Sequence, residues 1–470
     1  MLEYPDRSVK RETRVAHHPS RITSHALRIT FHATHNTEVS TVDSQSWRVP
    51  FFIVWTGQAF SLVGSALVRF ALIWWLTEKT GSAITLTAAS LAAMLPFIVL
   101  GPFVGSLVDR WNRRWVMIVS DGIIALLTAL LAYLYWLKVA QVWHVYVILF
   151  LRSLGGTFQD SAMRASTSLM APREQLTRVG GMNETVQGLV NIASPPLGAL
   201  LLEILDMQGT LAIDVVTAVI AIVPLFFVHV PQPQHGTPSQ ADTLPGKWSA
   251  VVRDTVAGFR YLWNWRGLFF LLVVIALVRF FIAPPMSMLP LLVTQYFGGG
   301  ALQLAWVNSA NGFGFVVGGV ILSVWGGFRR QTLTALVGLF GVGIGTVIFG
   351  LMPPTAFGLA LVIMFLRTIM VPLISGPITA IFQSSTPPEM QGRLFTVLMS
   401  VISVMAPLGL AIGGPLADAF GVRLLFILGG AGMVLMALIW VFTPVVLYLE
   451  DRPGPTVVPA SPEPPPAHSQ

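Results

Sequence analysis

From Phe51 to Leu447 the chain is a succession of apolar runs, each about long enough to carry a helix across a bilayer. A hydrocarbon core roughly 30 Å thick takes about 20 residues at a rise of about 1.5 Å. The runs fall near 50–76, 83–107, 115–137, 142–166, 179–203, 210–230, 268–293, 302–325, 332–352, 356–382, 393–416 and 422–447. This pattern predicts an all-α membrane protein with twelve transmembrane helices.

Three polar stretches interrupt the rhythm and set the expected organisation. Residues 1–47 precede a first six-helix bundle over 48–230; a cytoplasmic linker at 231–266 leads to a second bundle over 267–449, and 450–470 form a Pro-rich tail. The first stretch repeats Arg and His four residues apart in Arg14-Val-Ala-His-His18, Arg21-Ile-Thr-Ser-His25 and Arg28-Ile-Thr-Phe-His32. A metal- or anion-binding tail and a disordered extension both fit that pattern, and the extension is the simpler reading. In the linker, Trp248, Val252, Val256, Phe259 and Leu262 share one helical face while Arg253 and Arg260 lie towards the other. That suits a helix resting on a membrane surface. The Pro-rich tail predicts disorder.

Composition agrees with the pattern. Of 470 residues, 54% are hydrophobic and 10% are charged, against about 25% charged in soluble proteins. There are no cysteines, which excludes disulfides and thiolate metal sites. The net charge of +7 reads as a topology signal rather than a nucleic-acid footprint. With the N-terminus inside, fourteen basic residues fall on inner loops, Arg110, Arg113, Arg114, Arg164, Arg329 and Arg330 among them, against Lys79, Lys138 and Arg423 outside. The bias predicts both termini in the cytoplasm of a bacterial inner membrane.

The two halves also repeat. Val147-Ile-Leu-Phe-Leu-Arg152 resembles Val362-Ile-Met-Phe-Leu-Arg367, and at the same offset of 215, Pro172, Glu174 and Arg178 match Pro387, Glu389 and Arg393. Pro196-Leu-Gly198 likewise resembles Pro407-Leu-Gly409. A 6+6 pseudo-repeat follows, of the kind that places a solute path at the interface of the repeats.

One loop carries a family resemblance. Gly105-Ser-Leu-Val-Asp109-Arg110-Trp-Asn-Arg113-Arg114 resembles the loop between spans two and three of the major facilitator superfamily, with Asn112 in place of the second glycine. Gly319 to Arg329 and Arg330 resembles a decayed copy that lacks the aspartate. Arg152 with Gly156, and Ser194-Pro-Pro-Leu-Gly-Ala199, resemble the fourth-span and fifth-span patterns imperfectly. Gly57-Gln58, Ser61-Leu-Val-Gly64, Thr80-Gly-Ser82 and Trp325-Gly-Gly-Phe328 are similar to the macrolide-efflux and enterobactin-exporter branch. The likeness covers about residues 50–447. It implies a secondary transporter working by alternating access, with Gly105, Asp109, Arg110, Arg113, Arg114, Arg329 and Arg330 forming a cytoplasmic latch.

Candidate site residues follow from cost. Arg69, Arg152, Arg279 and Arg367 fall inside spans one, four, seven and ten. Each costs about 2.5–3.5 kcal/mol at mid-helix, so they are expected to face the interior. The resemblance implies that those four helices line a central cavity. Gln58, Asn308 and Asn311 add polar contacts there, with Trp74 and Trp75 for stacking. Asp121 and Asp214 read as near span ends and suited to structural pairing. Asp160 and Glu184 read as deeper, and as the candidates for proton coupling. Four cations against one acid, Asp160, predict a cavity that prefers amphipathic solutes with an anionic or electron-rich group.

No Gly-x4-Gly-Lys-Ser/Thr loop is present, so an ATP-driven pump is excluded. A membrane-embedded enzyme lacks a nucleophile–base pair or metal cluster in the spans, and a channel lacks rings of polar residues. A proton-coupled importer on the same fold is the standing alternative to efflux. The expected partners are a small molecule, protons and the lipid bilayer, with a monomer as the working unit, no cofactor and no nucleic acid.

Overall fold

The computed structural model describes residues 47–228, 230–232, 256, 259–386 and 388–443. The Arg/His repeats, the Pro-rich tail, and Trp248, Val252 and Arg253 of the linker lie outside them. Among the described residues every element is helical. The helices are α1 (Arg48–Thr80), α2 (Ala83–Val108), α3 (Arg113–Trp136), α4 (Val142–Met170), α5 (Leu176–Phe227), α6 (Arg266–Ser287), α7 (Ala301–Trp325), α8 (Gln331–Leu351), α9 (Phe357–Ile369), α10 (Pro372–Ser385), α11 (Pro388–Phe420) and α12 (Val422–Val441).

These do not map one to one onto the predicted spans. α5 runs for 52 residues, about 78 Å if straight and far more than one crossing needs. Asp206 breaks it with φ 54°, a left-handed value that ends a right-handed helix. The two limbs run in opposite directions along α1. Trp55 bonds Asn183 of the first limb, and Gly198 faces Phe70; Gly57 abuts Ala221 and Gly64 abuts Asp214 of the second limb. The limbs are therefore the fifth and sixth crossings. The tenth is split instead, with α9 and α10 meeting at Met370 and Val371 ahead of Pro372. Twelve crossings result.

Ten described helices are long and apolar enough to span a bilayer. The two remaining crossings are the second limb of α5, joined to the first in that count, and α4, which carries Arg152, Gln159, Asp160 and Arg164. The polarity that weakens α4 as a membrane helix points to where the site lies.

α1–α5 pack on one another, and α6–α12 do the same. The halves meet chiefly through α2 against α11 and α5 against α7. Their junction lies at the end of the molecule where α1 passes into α2. Asp418 of α11 accepts from Ser82 Oγ at 3.0 Å and from the backbone N–H groups of Ala83 at 2.6 Å and Ile84 at 3.1 Å. A carboxylate from one half thus caps the first turn of a helix in the other, where free N–H groups and the helix dipole favour negative charge. Gln295 donates to Gly81 O at 2.6 Å, and the Ser90 and Ser287 hydroxyls lie 2.7 Å apart. An apolar core including Leu72, Leu76, Leu86, Leu289, Leu292 and Leu304 closes around these bonds. Ser309 donates to Ile192 O about midway along the helices.

The linker ends differently from its sequence reading. Leu262 is buried with Tyr261 and Trp265 against the core of α6, α8 and α12, whereas Val256 and Phe259 are exposed. Among its described residues, the segment docks onto its own half through Leu262 and leaves Val256 and Phe259 outward.

Close helix approach in the second half depends on small residues. A Cβ at Gly318 of α7 would overlap the Ile369 carbonyl oxygen of α9. Gly318→Val is expected to destabilise the protein by about 3 kcal/mol, the upper range for overpacking, because backbone cannot step aside as a side chain does. An unchanged melting temperature in detergent would refute that contact.

Candidate functional site

Helices α1–α5 enclose a cavity of about 750 Å³. Gln58, Ser65 and Arg69 reach it from one face of α1; Met94 and Phe97 from α2; Asp121 from α3; Arg152, Gln159, Asp160, Met163 and Arg164 from α4; and Asn183, Glu184 and Gln187 from the first limb of α5. Spacings of three, four and seven residues on α1 and α4 put these side chains on one helical face. The wall therefore mixes aromatic, thioether and charged groups. That suits a ligand with a large apolar body and a polar end.

A buried ion pair braces the cavity. Arg152 bonds Asp214 at 2.6 Å, with side-chain exposures of 9% and 1%. Thr128 Oγ1 donates to Asp214 at 2.9 Å and Ser65 Oγ donates at 3.2 Å. Arg152 also donates to the Thr128 hydroxyl and, at 3.3 Å, to Ser65 Oγ. The carboxylate thus collects three donors from α1, α3 and α4, enough to hold a charge away from water.

A second network lies further along α1. Asp121, 3% exposed, accepts from Gln58 Nε2 at 2.9 Å. The Gln58 carbonyl accepts from the Gln159 amide, linking α3, α1 and α4. Trp55 Nε1 donates to Asn183 Oδ1 at 2.7 Å and joins α1 to α5.

Several sequence expectations need correction here. Asp121 and Asp214 are both buried inside the first half, and Asp214 makes the structural pairing expected of it. Asp214 supplies the missing counterion for Arg152, and Asp121 stands in the cavity wall. With Arg152 matched, Arg69 and Arg164 face Asp121, Asp160 and Glu184 across the cavity. The predicted excess of cations disappears, and with it the preference for anionic solutes.

The second-half candidates do not line this cavity. Arg367 is buried at 3% exposure and turned towards α8, donating to Thr346 Oγ1 at 2.8 Å and to Met364 Sδ at 3.7 Å. Gly345 leaves room for it, since a Cβ there would stand 2.8 Å from Arg367 Cβ. Asn308 donates to Leu304 O of its own helix at 3.1 Å, and Asn311 accepts from Thr368 Oγ1 at 2.7 Å. Both serve helix packing. Arg279 is exposed on α6, two turns before Met286, which packs into the core shared by the halves. It is not among the residues that line the cavity.

The residues of the loop between α2 and α3 sit at the end opposite the junction. Asp109 pairs with Arg113 at 3.1 Å and is otherwise exposed. Arg113 is buried and also donates to Ala165 O at 2.7 Å; Arg114 donates to Phe226 O. Asn112, which replaces the second glycine of the motif, caps α3 by accepting from the N–H groups of Arg114 and Trp115. Its departure from the pattern has a local structural reason. Gly105 has open space where a Cβ would stand, so no neighbouring helix closes on it. Arg110 and Arg329 are exposed, and Arg330 is half-buried at the start of α8.

Thr128 and Gln159 are residues that sequence reasoning passes over, and it assigns Asp121 and Asp214 to pairing rather than to the cavity. The signal was available for two of them: Thr128 and Asp214 are polar positions inside apolar runs, as Arg152 is.

The sequence profile described as Major Facilitator Superfamily matches residues 54–406 and, overlapping, 268–468. Macrolide efflux protein A of Streptococcus pyogenes is 35% identical over 394 residues, covering 84% of this chain and 96% of that protein. Multidrug efflux pump Tap of Mycolicibacterium fortuitum is 25% identical over 408 residues, covering 84% and 96%. Among solved structures, a bacterial homologue of the iron transporter ferroportin aligns with TM-score 0.63 at 14% identity, covering 84% of this chain and 98% of that one. A bacterial homologue of the lysosomal transporter Spinster aligns with TM-score 0.63 at 12% identity, covering 88% and 100%.

Proposed function

The chain belongs to the major facilitator superfamily, and from that premise we propose that it exports amphipathic, drug-like molecules bearing a basic group, macrolides first among them, in exchange for protons by alternating access. The observation that carries this reading is the cavity of about 750 Å³, whose acids Asp121, Asp160 and Glu184 outnumber its unmatched arginines beside Trp55, Phe97 and two methionines. Such a wall receives an apolar body and a cationic end together. The relatives named for macrolide and multidrug efflux support the direction.

The loop charges favour a topology with both termini in the cytoplasm of a bacterial inner membrane. In that frame the Asp418 junction faces outward and the cavity reaches towards the cytoplasm, the arrangement that takes up cargo from inside. Asp109, paired among the described residues with Arg113 of its own half, fits a latch in its released position; Arg110 and Arg329 are exposed on the loops of the two halves. Asp160 and Glu184 meet the cavity water, where protons and basic cargo arrive. The proposed cycle calls for neither a second copy of the chain nor a bound metal or cofactor.

Radiolabelled erythromycin accumulation, measured in cells with and without the protein, tests the reading. Expression should lower accumulation, and a protonophore should restore it. One proton exchanged for one cargo cation moves no net charge, so the pH difference drives the cycle and permits roughly a tenfold gradient per pH unit. Higher accumulation on expression would instead establish an importer.

A further inference from the structure

We propose that Asp121, rather than Asp160 or Glu184, is the carboxylate at which proton and cargo exclude one another. The inference rests on proton-coupled export as read above and names the group that couples it.

Three observations single out Asp121. It is 3% exposed yet lines the cavity, whereas Asp160 and Glu184 are open to cavity water. Its bonded partner is a neutral amide, Gln58 Nε2 at 2.9 Å, while Arg152, which lines the same cavity, is committed to Asp214. Two other carboxylates, Asp160 on α4 and Asp214 on α5, repel a charge at this position. Arg69 and Arg164 lie elsewhere along the same cavity wall.

A buried carboxylate without a cation beside it has two ways to avoid an isolated charge: hold a proton, or receive a cation. Asp214 has been given its cation by the fold. Asp121 has not, and the cavity is where one would arrive. When a basic group of the cargo enters, the proton on Asp121 leaves to cavity water; when the cargo departs on the other side, a proton from that side takes its place. One proton enters for each one released, and no bond of the cargo changes. Gln58 transmits the exchange, because its amide bonds Asp121 while its carbonyl accepts from Gln159 of α4. A change in the acceptor is thereby felt by α1, α3 and α4 at once.

The test uses full-length protein in proteoliposomes, with radiolabelled erythromycin as the probe, comparing wild type with Asp121→Asn. The wild type should accumulate the probe against its gradient under an imposed pH difference, and its counterflow should slow as pH falls. Asp121→Asn should lose accumulation altogether, a drop of about tenfold per pH unit imposed when one proton exchanges for one cargo cation, while its counterflow persists with a changed KM and no longer varies with pH. Retained gradient-driven accumulation would overturn the proposal. So would loss of counterflow in a monodisperse, folded variant, since that marks a mere packing bond. Should the variant fail to fold, mapping of dicyclohexylcarbodiimide adducts on the wild type decides: modification at Asp121, blocked by erythromycin, supports the assignment, and modification confined to Asp160 or Glu184 overturns it. Wild-type transport that is active but indifferent to the proton gradient is a distinct failure, because it removes the coupling itself.

Discussion

Asp214→Ala should all but remove the protein from the membrane. The substitution strands Arg152, whose side chain is 9% exposed and whose ionic partner is Asp214 at 2.6 Å. Breaking a buried pair by deleting one member costs about 3–5 kcal/mol, a large part of the roughly 5–15 kcal/mol that holds a typical fold. The double substitution Arg152→Met with Asp214→Leu removes both charges and should restore most of the folded yield, because an apolar pair of similar volume needs no desolvation of ions. Fluorescence-detected gel filtration of tagged variants reads both outcomes. A normal monodisperse peak for Asp214→Ala would show that the pair bears little of the stability.

The second large effect concerns the junction between the halves. Ser90→Cys combined with Ser287→Cys should yield a chain whose transport stops under oxidant and returns under reductant. The two hydroxyls are 2.7 Å apart, and the native chain contains no cysteine that would confuse the result. If the halves must separate at this end in each cycle, a covalent bridge holds the carrier in one state. Undiminished transport with the cross-link complete would mean that this end never opens.

The crossings were readable because twelve apolar runs are separated by charged or Pro/Gly-bearing turns. Where boundaries shifted, the cause was backbone geometry that hydropathy does not encode: the left-handed Asp206 that folds one long helix into two, and the break ahead of Pro372. The site was less legible. Asp121 lies only eight residues after the start of α3, and counting from a helix end suggested headgroup depth. Burial inside the bundle is set by the helices packed around a residue, here α1 with Gln58, and not by its distance from a helix end. Arg152 and Arg367 show the other limit. They occupy matching positions in the repeated halves, yet one meets Asp214 at the cavity and the other turns to Thr346. Cost told that both must be sheltered; only the packing of neighbours, down to the space left by Gly345, determined where each turned.

That divergence carries an evolutionary corollary. The cavity is walled from α1–α5 alone, while α6–α12 hold their glycine-lined helix contacts and no acid deeper than Asp418. On the proposed reading of drug export, selection by an unfamiliar antibiotic has a narrow target: changes that widen or shift the range of exported drugs belong between Trp55 and Gln187. Lineages that diverge mainly in the remaining half should keep the same resistance spectrum, differing in how well the protein is made rather than in what it expels.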